Sequence, residues 1–407
     1  MVCGQRAARY RDVFAIGEFR ALFAAQLLSV VGDQLARVAL SLLVFDRTGS
    51  PGLTALAYAL TYLPELAAGP LLSGIADRRP RRMVMVVTDL ARAALVALMA
   101  WPGLPLAVVC VLLVAVNALG APFNAARAAT LARVLRGEAY LLGTGAADMV
   151  DQLAQAAGFV GGGVLVLAIG PGQGLQIDSA TFLVSAILVQ LGVRERPVPS
   201  YPTVRDPVPA WWPALKAGAV LVLTNRTLRS LVLLACVAGF YVTIEALAVP
   251  YALDSGGGPV AIGVLLAAGP AGTVLGMAVV SRLGAELRLR LLGPLAVAAC
   301  LPLAACAFRP GIPVTAGLLL ISGFASAYHL VARSAFVLAV PDHERGQAFG
   351  LAVTALRTAQ GCGLLVAGLL AEYLGAAVVL TAAGVAGSMV AAAAGLAWSQ
   401  ARAAPGG

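Results

Sequence analysis

The chain has 407 residues, of which 60% are apolar and 12% are charged, and its mean hydropathy is +0.90. Soluble domains are about 45–50% apolar and about 25% charged, so the composition excludes a soluble globular protein. The net charge of +9 comes from an excess of arginine, which outnumbers lysine 27 to 1. Such a bias is typical of a GC-rich bacterial genome, and the composition is that of a chain that crosses a membrane many times.

Glycine, proline and charged residues divide the chain into twelve apolar segments. A membrane-spanning helix needs about 20 largely apolar residues, and helices satisfy their backbone hydrogen bonds within lipid. We therefore predict an all-α membrane protein with twelve transmembrane helices. The predicted spans are 20–45, 53–76, 83–101, 104–133, 140–169, 174–193, 228–251, 259–281, 289–308, 312–340, 346–371 and 374–399.

The basic residues predict the orientation of these spans. With the N-terminus in the cytoplasm, the inner loops and tails hold 21 Arg and Lys residues, and the outer loops hold Arg47 and Arg309. This strong bias predicts that both termini are cytoplasmic, in a bacterial inner membrane. The positive charge then faces anionic lipid and does not indicate binding to nucleic acid.

A proline-rich polar segment and an internal repeat predict two halves. We expect an N-terminal six-helix bundle at 1–193, a cytoplasmic linker at 194–227 and a C-terminal six-helix bundle at 228–407. Two patterns recur in the same order, about 205 residues apart, which is typical of parallel repeats. They pair Ala154-Gln155, Gly158 and Gly163 with Ala359-Gln360, Gly363 and Gly368, and Ala126-Arg127-Xaa-Ala129 with Ala332-Arg333-Xaa-Ala335.

The charged stretch Gly74-Ile75-Ala76-Asp77-Arg78-Arg79-Pro80-Arg81-Arg82 resembles the loop between helices 2 and 3 of the major facilitator superfamily, with Pro80 where the family usually has Gly. Further stretches are similar to the enterobactin-exporter and macrolide-efflux-like branch. They are Phe19-Arg20, Gln26-Leu27, Ser29, Gly32-Asp33, Asp178-Ser179-Ala180-Thr181-Phe182 and Pro341-Asp342-His343-Glu344-Arg345-Gly346.

This resemblance implies a secondary transporter that exports a small amphipathic or apolar compound, such as a drug, siderophore or secondary metabolite, by proton antiport. Two six-helix halves would alternate access to a central cavity. The expected partners are a small-molecule substrate, protons and membrane lipid, with the protein acting as a monomer. A proton-coupled importer on the same fold and a non-transporting sensor or assembly protein are the alternatives. Flux that depends on the buried acids would distinguish a transporter from the last of these.

Ionisable residues within spans are the candidates for proton coupling, because such groups are costly in lipid unless they are paired or hydrated. Asp33 and Glu65 both lie near mid-membrane in the predicted spans. Arg37 follows Asp33 by one helical turn, so a permanent structural ion pair is the competing interpretation for Asp33. Glu245 is interpreted either as a substrate contact or as a solvated group at the outer mouth.

Other polar residues within spans have two interpretations each. Arg127 and Arg333 are related by the repeat and are gating candidates, with snorkelling to the interface as the alternative. His329 is either a packed, hydrogen-bonded histidine or a proton relay. Together with Arg37 and Glu245 it forms the candidate set for the substrate cavity. Asp148 and Asp151 are expected to cap or solvate the start of helix 5.

By resemblance, Asp77 would contact the N-terminus of helix 11 and hold the cytoplasmic side closed, with Arg78, Arg81 and Arg82 completing the gate. The alternative is that these charges only fix topology. Gly158-Phe159-Val160-Gly161-Gly162-Gly163 resembles a glycine element of antiporters, with Phe159 in place of Pro. Its Gly158, Gly162 and Gly163 are candidates for close helix packing.

Several kinds of chemistry have no counterpart in the sequence. It holds no GxxxxGK[ST] phosphate loop, no HExxH zinc motif and no cluster of Cys and His. We therefore expect no enzymatic activity, no cofactor and no metal ion, and we expect no nucleotide-driven transport within this chain.

Overall fold

The computed structural model describes residues 10–62, 79–135, 138–196, 219–340 and 345–403. These residues form an all-helical protein. The helices are α1 (Tyr10–Phe14), α2 (Gly17–Thr48), α3 (Pro51–Ala59), α4 (Arg81–Met99), α5 (Leu106–Val134), α6 (Glu138–Ile169), α7 (Pro171–Gly192), α8 (Arg226–Cys236), α9 (Ala238–Tyr241), α10 (Thr243–Asp254), α11 (Pro259–Val280), α12 (Ala285–Arg290), α13 (Leu292–Ala304), α14 (Ile312–Ser326), α15 (Tyr328–Ala339), α16 (Arg345–Leu374) and α17 (Ala376–Ala403).

Within the described ranges, nine helical stretches are long and apolar enough to cross a membrane. They include α2, α5, α7, α11, most of α6, α16 and α17, and the continuous stretches Arg226–Asp254 and Ile312–Ala339. A shorter apolar stretch covers Leu292–Phe308, and α4 is 19 residues long but carries four charged residues. These helices match the order of the predicted spans. The predicted span 53–76 is described only as far as residue 62.

Large apolar side chains are exposed along these helices. Leu191 is 82% exposed, and Val111 and Leu167 are exposed as well. A soluble protein would bury such side chains, whereas a membrane helix presents them to lipid. The exposed surface thus agrees with a multi-pass membrane protein.

The chain divides into two compact units. The first holds α1, α2 up to Ala39, and α4 to α7; α4 packs on both α5 and α7. Buried Leu22, Met85, Phe123 and Val189 form part of its core.

The second unit holds the rest of α2, from Leu40 onward, with α3 and the helices from α8 to α17. Its α3 packs on α10 and α16, and α11 packs closely on α14. Small residues permit this last contact, since a Cβ on Gly323 would lie 2.0 Å from the Gly269 carbonyl oxygen. Residues 40–62 thus share a unit with the C-terminal helices, although sequence predicted a division at 194–227. The six-helix bundles stay a prediction.

Candidate functional site

The first unit contains an ion pair between α2 and α4. Arg92 on α4 donates a hydrogen bond from Nη2 to Asp33 Oδ1 on α2 at 3.2 Å. The Arg92 side chain is only 8% exposed, whereas that of Asp33 is 32% exposed. A buried guanidinium without a negatively charged partner would destabilise the fold, so the pairing with Asp33 stabilises Arg92 in its buried position. Asp33 is therefore the half-exposed end of an otherwise buried polar pair.

A second carboxylate lies on the same helix as Arg92. Asp89 is fully buried and its Oδ1 lies 3.8 Å from Arg92 Nη1. Its Oδ2 accepts a hydrogen bond of 2.6 Å from Ser185 Oγ on α7. Among the described residues, Asp89 Oδ1 has no hydrogen-bond partner. The Arg92 guanidinium also lies over the Phe182 ring, 4.0 Å from its centroid, which is a cation–π arrangement.

The third carboxylate, Asp178, is 1% exposed on α7 and interacts electrostatically with both Asp33 and Arg92. Thr181 Oγ1 donates to the Asp178 backbone carbonyl oxygen at 2.7 Å and also lies 3.3 Å from Asp178 Oδ1. The helices approach closely here, because a Cβ on Gly32 would lie 2.4 Å from that same oxygen. We call Asp33, Asp89, Asp178 and Arg92 the acid cluster. It places three carboxyl groups around one guanidinium.

The sequence identified Asp33 but missed its three neighbours in the acid cluster. Asp33 forms an ion pair with Arg92, and the predicted pair of Asp33 with Arg37, one turn further along α2, stays a prediction. Asp89 could have been found by the rule that identified Asp33, since it too lies within an apolar span. Glu65 lies outside the described residues, and its role in proton coupling stays a prediction.

Arg127 on α5 interacts electrostatically with Asp151 and Asp148 on α6. Asp151 Oδ2 also accepts a hydrogen bond of 3.5 Å from Gln26 Nε2 on α2. The expectation that the two acids cap helix 5 is wrong, because α6 begins at Glu138 and both lie well inside it. They face a cation from a neighbouring helix instead. The gating role of Arg127 stays a prediction.

In the second unit, Glu245 is part of a group of aromatic and polar side chains. Tyr62 donates its hydroxyl hydrogen to Glu245 Oε2 at 2.6 Å. The Tyr241 hydroxyl and His329 Nε2 are 2.7 Å apart, with the donor set by the tautomer of the histidine. The Tyr328 ring stacks on the His329 ring at 4.4 Å between centroids. Tyr241 also interacts electrostatically with Glu245 and Tyr62, and we call these five residues the tyrosine cluster.

Two arginines of the second unit lie against aromatic rings. The Arg333 guanidinium is 5.4 Å from the centroid of Phe349, and that of Arg357 is 5.4 Å from the centroid of Tyr62. Arg357 thereby joins the tyrosine cluster at its edge. Sequence reasoning gave no role to Arg357 or to the tyrosines, because aromatic residues are common in helix cores and carry no distinctive spacing.

The glycines of helix 5 lie where α6 approaches α2. A Cβ on Gly158 would be 2.7 Å from the Val31 carbonyl oxygen, and one on Gly162 would be 3.0 Å from Leu35 Cα. Gly161 faces open space and Gly163 is buried. Close contact of two helix backbones is what small residues permit.

Part of the predicted gate can be placed. Arg81 Nη1 donates to the Ala129 carbonyl oxygen at 2.8 Å, and Arg82 Nη2 lies 3.7 Å from Glu195 Oε2. These contacts join the start of α4 to the ends of α5 and α7. Asp77 and Arg78 lie outside the described residues, so the contact of Asp77 with helix 11 stays a prediction.

Comparison with known proteins identifies the family. The model of the Major Facilitator Superfamily matches residues 22–332, about three quarters of the chain. The chain belongs to the major facilitator superfamily. Its members are transporters, so the protein is a membrane transporter and not an enzyme.

The fold is similar to that of a bacterial homolog of the human lysosomal transporter Spinster in an inward-facing and occupied conformation, with a TM-score of 0.72 and 16% identity over 98% of both chains. The nucleoside transporter NupG has a TM-score of 0.71 and 14% identity, over 94% of this chain and 99% of that one. At these identities the similarity concerns the fold. It supports the prediction of twelve helices.

A sequence relative covers a smaller region. The uncharacterized MFS-type transporter YvqJ of Bacillus subtilis (strain 168) is 27% identical over 176 residues, which are 42% of each protein. The match thus spans about two fifths of that relative. It supports transport as the general activity and leaves the substrate, direction and coupling ion to proposal.

Proposed function

We propose that this major facilitator transporter exports a small amphipathic or apolar organic compound, such as a drug, siderophore or secondary metabolite, in exchange for protons. The observation that carries the proposal is the acid cluster, in which three carboxyl groups share one guanidinium within the membrane-spanning part of the first unit. A cluster of this composition can change its charge by taking up a proton.

Charge balance supports proton binding at this place. If Asp33, Asp89 and Asp178 were all ionised, the acid cluster would hold three negative charges and one positive charge, with two of the carboxylates fully buried. Burying an unpaired charge costs several kcal/mol even where water and the protein relax around it. Protons offset that cost, and Asp33, which is the most exposed of the three, is the group that can exchange its proton with water.

The geometry suggests how protonation changes the site. A proton on Asp33 removes its charge and weakens its bond with Arg92, which keeps Asp89 at 3.8 Å and its electrostatic interaction with Asp178. The guanidinium can then move toward Asp89 without leaving the Phe182 ring. Protonation of Asp33 would thus move the Arg92 guanidinium away from α2 and toward Asp89 on α4 and Phe182 on α7. This movement links proton binding to the positions of the helices.

The tyrosine cluster is the proposed contact for the substrate. Its partly exposed members are the Tyr241 ring, the Glu245 carboxylate and the His329 ring, and this combination suits an amphipathic compound with one polar group. The outward direction rests on the resemblance to the enterobactin-exporter and macrolide-efflux-like branch. A proton-coupled importer is the alternative. We further propose a monomer in the bacterial inner membrane with both termini in the cytoplasm.

Everted membrane vesicles test this function. Vesicles from cells that produce the protein are energised to an acidic interior and given a panel of dyes, antibiotics and siderophores. We expect at least one compound to accumulate only while the pH gradient lasts, and to accumulate less with Asp33→Asn. Accumulation of none of the panel in everted vesicles, with uptake into right-side-out vesicles, would favour the importer.

A further inference from the structure

A carboxylate from one helix binds the N-terminus of another in the second unit. The Gly52 backbone N–H, in the first turn of α3, donates to Glu372 Oε1 at 2.9 Å. The Ser50 hydroxyl donates to that same oxygen. Ser50 is the N-cap of α3 and its Oγ also accepts the Leu53 backbone N–H at 3.0 Å. The carboxylate therefore completes the cap of α3.

The position of Glu372 favours this contact electrostatically. It lies in the last turn of α16, and its negative charge meets the positive end of the α3 dipole. Backbone N–H groups in the first turn of a helix have no partner within the helix. A hydrogen bond between one of them and a charged carboxylate is stronger than one between neutral groups.

The two helices also fit together closely beneath the carboxylate. A Cβ on Gly368 would lie 2.0 Å from Ala55 Cβ and 3.4 Å from Gly52 Cα. A Cβ on Gly52 would lie 2.8 Å from Glu372 Oε1. The carboxylate can reach the N-terminus of α3 because these positions carry no larger side chains.

This contact joins helices that the sequence assigns to different halves of the chain. In the predicted topology, α3 opens span 53–76, and Asp77 follows that span at the opposite membrane face. Asp77 is expected to contact the N-terminus of predicted helix 11, which corresponds to α16, and Glu372 lies in the last turn of that helix. Predicted helices 2 and 11 would therefore be joined by one contact between a carboxylate and a helix N-terminus at each membrane face.

We propose that Glu372 is a gating residue, whose bond to the N-terminus of α3 keeps the transporter closed at the face opposite Asp77 and breaks when that face opens. The inference rests on alternating access by the two halves and not on the direction of export or on proton coupling. It assigns the closing force at that face to one exposed carboxylate.

Distance measurements between spin labels test the gate. In a variant with the native cysteines replaced, labels are placed at Trp101→Cys and Phe308→Cys, in two loops predicted on the face opposite Asp77. Double electron–electron resonance in nanodiscs then gives the ratio of long to short distances. We expect Glu372→Gln to raise this ratio by about two- to fivefold, the range for losing a charge at an exposed helix N-terminus.

Asp254→Asn is the matched control, since Asp254 is an exposed acid predicted at the same face. We expect it to leave the ratio unchanged. Equal ratios for the Glu372→Gln and Asp254→Asn variants would overturn the gate. If the ratio shifts but the vesicles transport nothing, the proposed export fails and the gate is retained.

Gly52→Ala gives an independent variant, because its methyl group displaces the carboxylate while alanine favours the helix. We expect a shift in the same direction as Glu372→Gln. The double variant should shift the ratio by less than the product of the two single effects, since each change removes the same bond. Independent, multiplicative effects would contradict a shared bond.

Discussion

Replacing Arg92 by methionine tests the charge balance of the acid cluster. Methionine is unbranched and similar in length, so it preserves most of the packing on Phe182 while removing the cation. The three carboxyl groups then lose the charge that stabilises them. Removing one partner of a buried ion pair costs about 3–5 kcal/mol. With an unfolding entropy of about 2.1 cal/mol/K per residue, this lowers the melting temperature by roughly 4–6 °C.

Asp178→Asn is the contrasting change, because it removes one of the surplus carboxyl groups. The 2.7 Å hydrogen bond from the Thr181 hydroxyl to the backbone carbonyl of residue 178 does not depend on the side chain and is kept. We expect a melting temperature equal to or above that of the unmodified protein. Scanning fluorimetry of the two purified variants in the same detergent measures both. If Asp178→Asn lowered the melting temperature as much as Arg92→Met, the charge-balance argument would be refuted.

Three further predictions concern packing, the tyrosine cluster and the gate. Gly158→Ala forces two helix backbones apart and should lower the free energy of unfolding by about 1–3 kcal/mol. Gly161 faces open space, so Gly161→Ala should leave the stability unchanged or raise it slightly. Thermal unfolding of the two variants checks this. Tyr62→Phe removes a 2.6 Å hydrogen bond to a carboxylate and should lower the free energy of unfolding by about 1.5–3 kcal/mol, measured by thermal unfolding, and the freed Glu245 should raise the apparent KM in vesicles. Ser281 stands at the position of Asp77 in the second repeat, 204 residues later. Asp77→Asn should slow transport far more than Ser281→Ala, and equally mild effects would leave Asp77 a role in topology alone.

Hydropathy predicted the helices because the cost of exposing backbone polar groups to lipid applies to every span. The order and approximate limits of the spans therefore agree with the described helices. Hydropathy predicts that the span 53–76 is a helix, but it cannot predict that α3 packs in the second unit. That packing depends on small residues such as Gly368, which lies more than 300 residues further along the chain.

For the candidate sites, the sequence predicted single polar residues within spans but not the partners that they contact on other helices. The rarity of charge within a span identified Asp33, and the i,i+4 rule suggested Arg37 as a partner, which stays a prediction. The structure shows a bond from Arg92 to Asp33, 59 residues apart, which that rule could not find. Likewise, Glu245 was recognised as a polar residue within a span, and its bond from Tyr62 spans 183 residues. Such pairs arise from packing between helices, which spacing within one helix cannot reveal.

The central claim is that Asp33 couples proton movement to substrate movement. It is tested in proteoliposomes with an internal pH dye, using the compound that the vesicle panel identifies. We predict that Asp33→Asn still exchanges labelled for unlabelled compound across the membrane, because that exchange needs no net proton transfer. The same variant should show no change of internal pH when a gradient of the compound is imposed. A pH change as large as that of the unmodified protein would contradict the account.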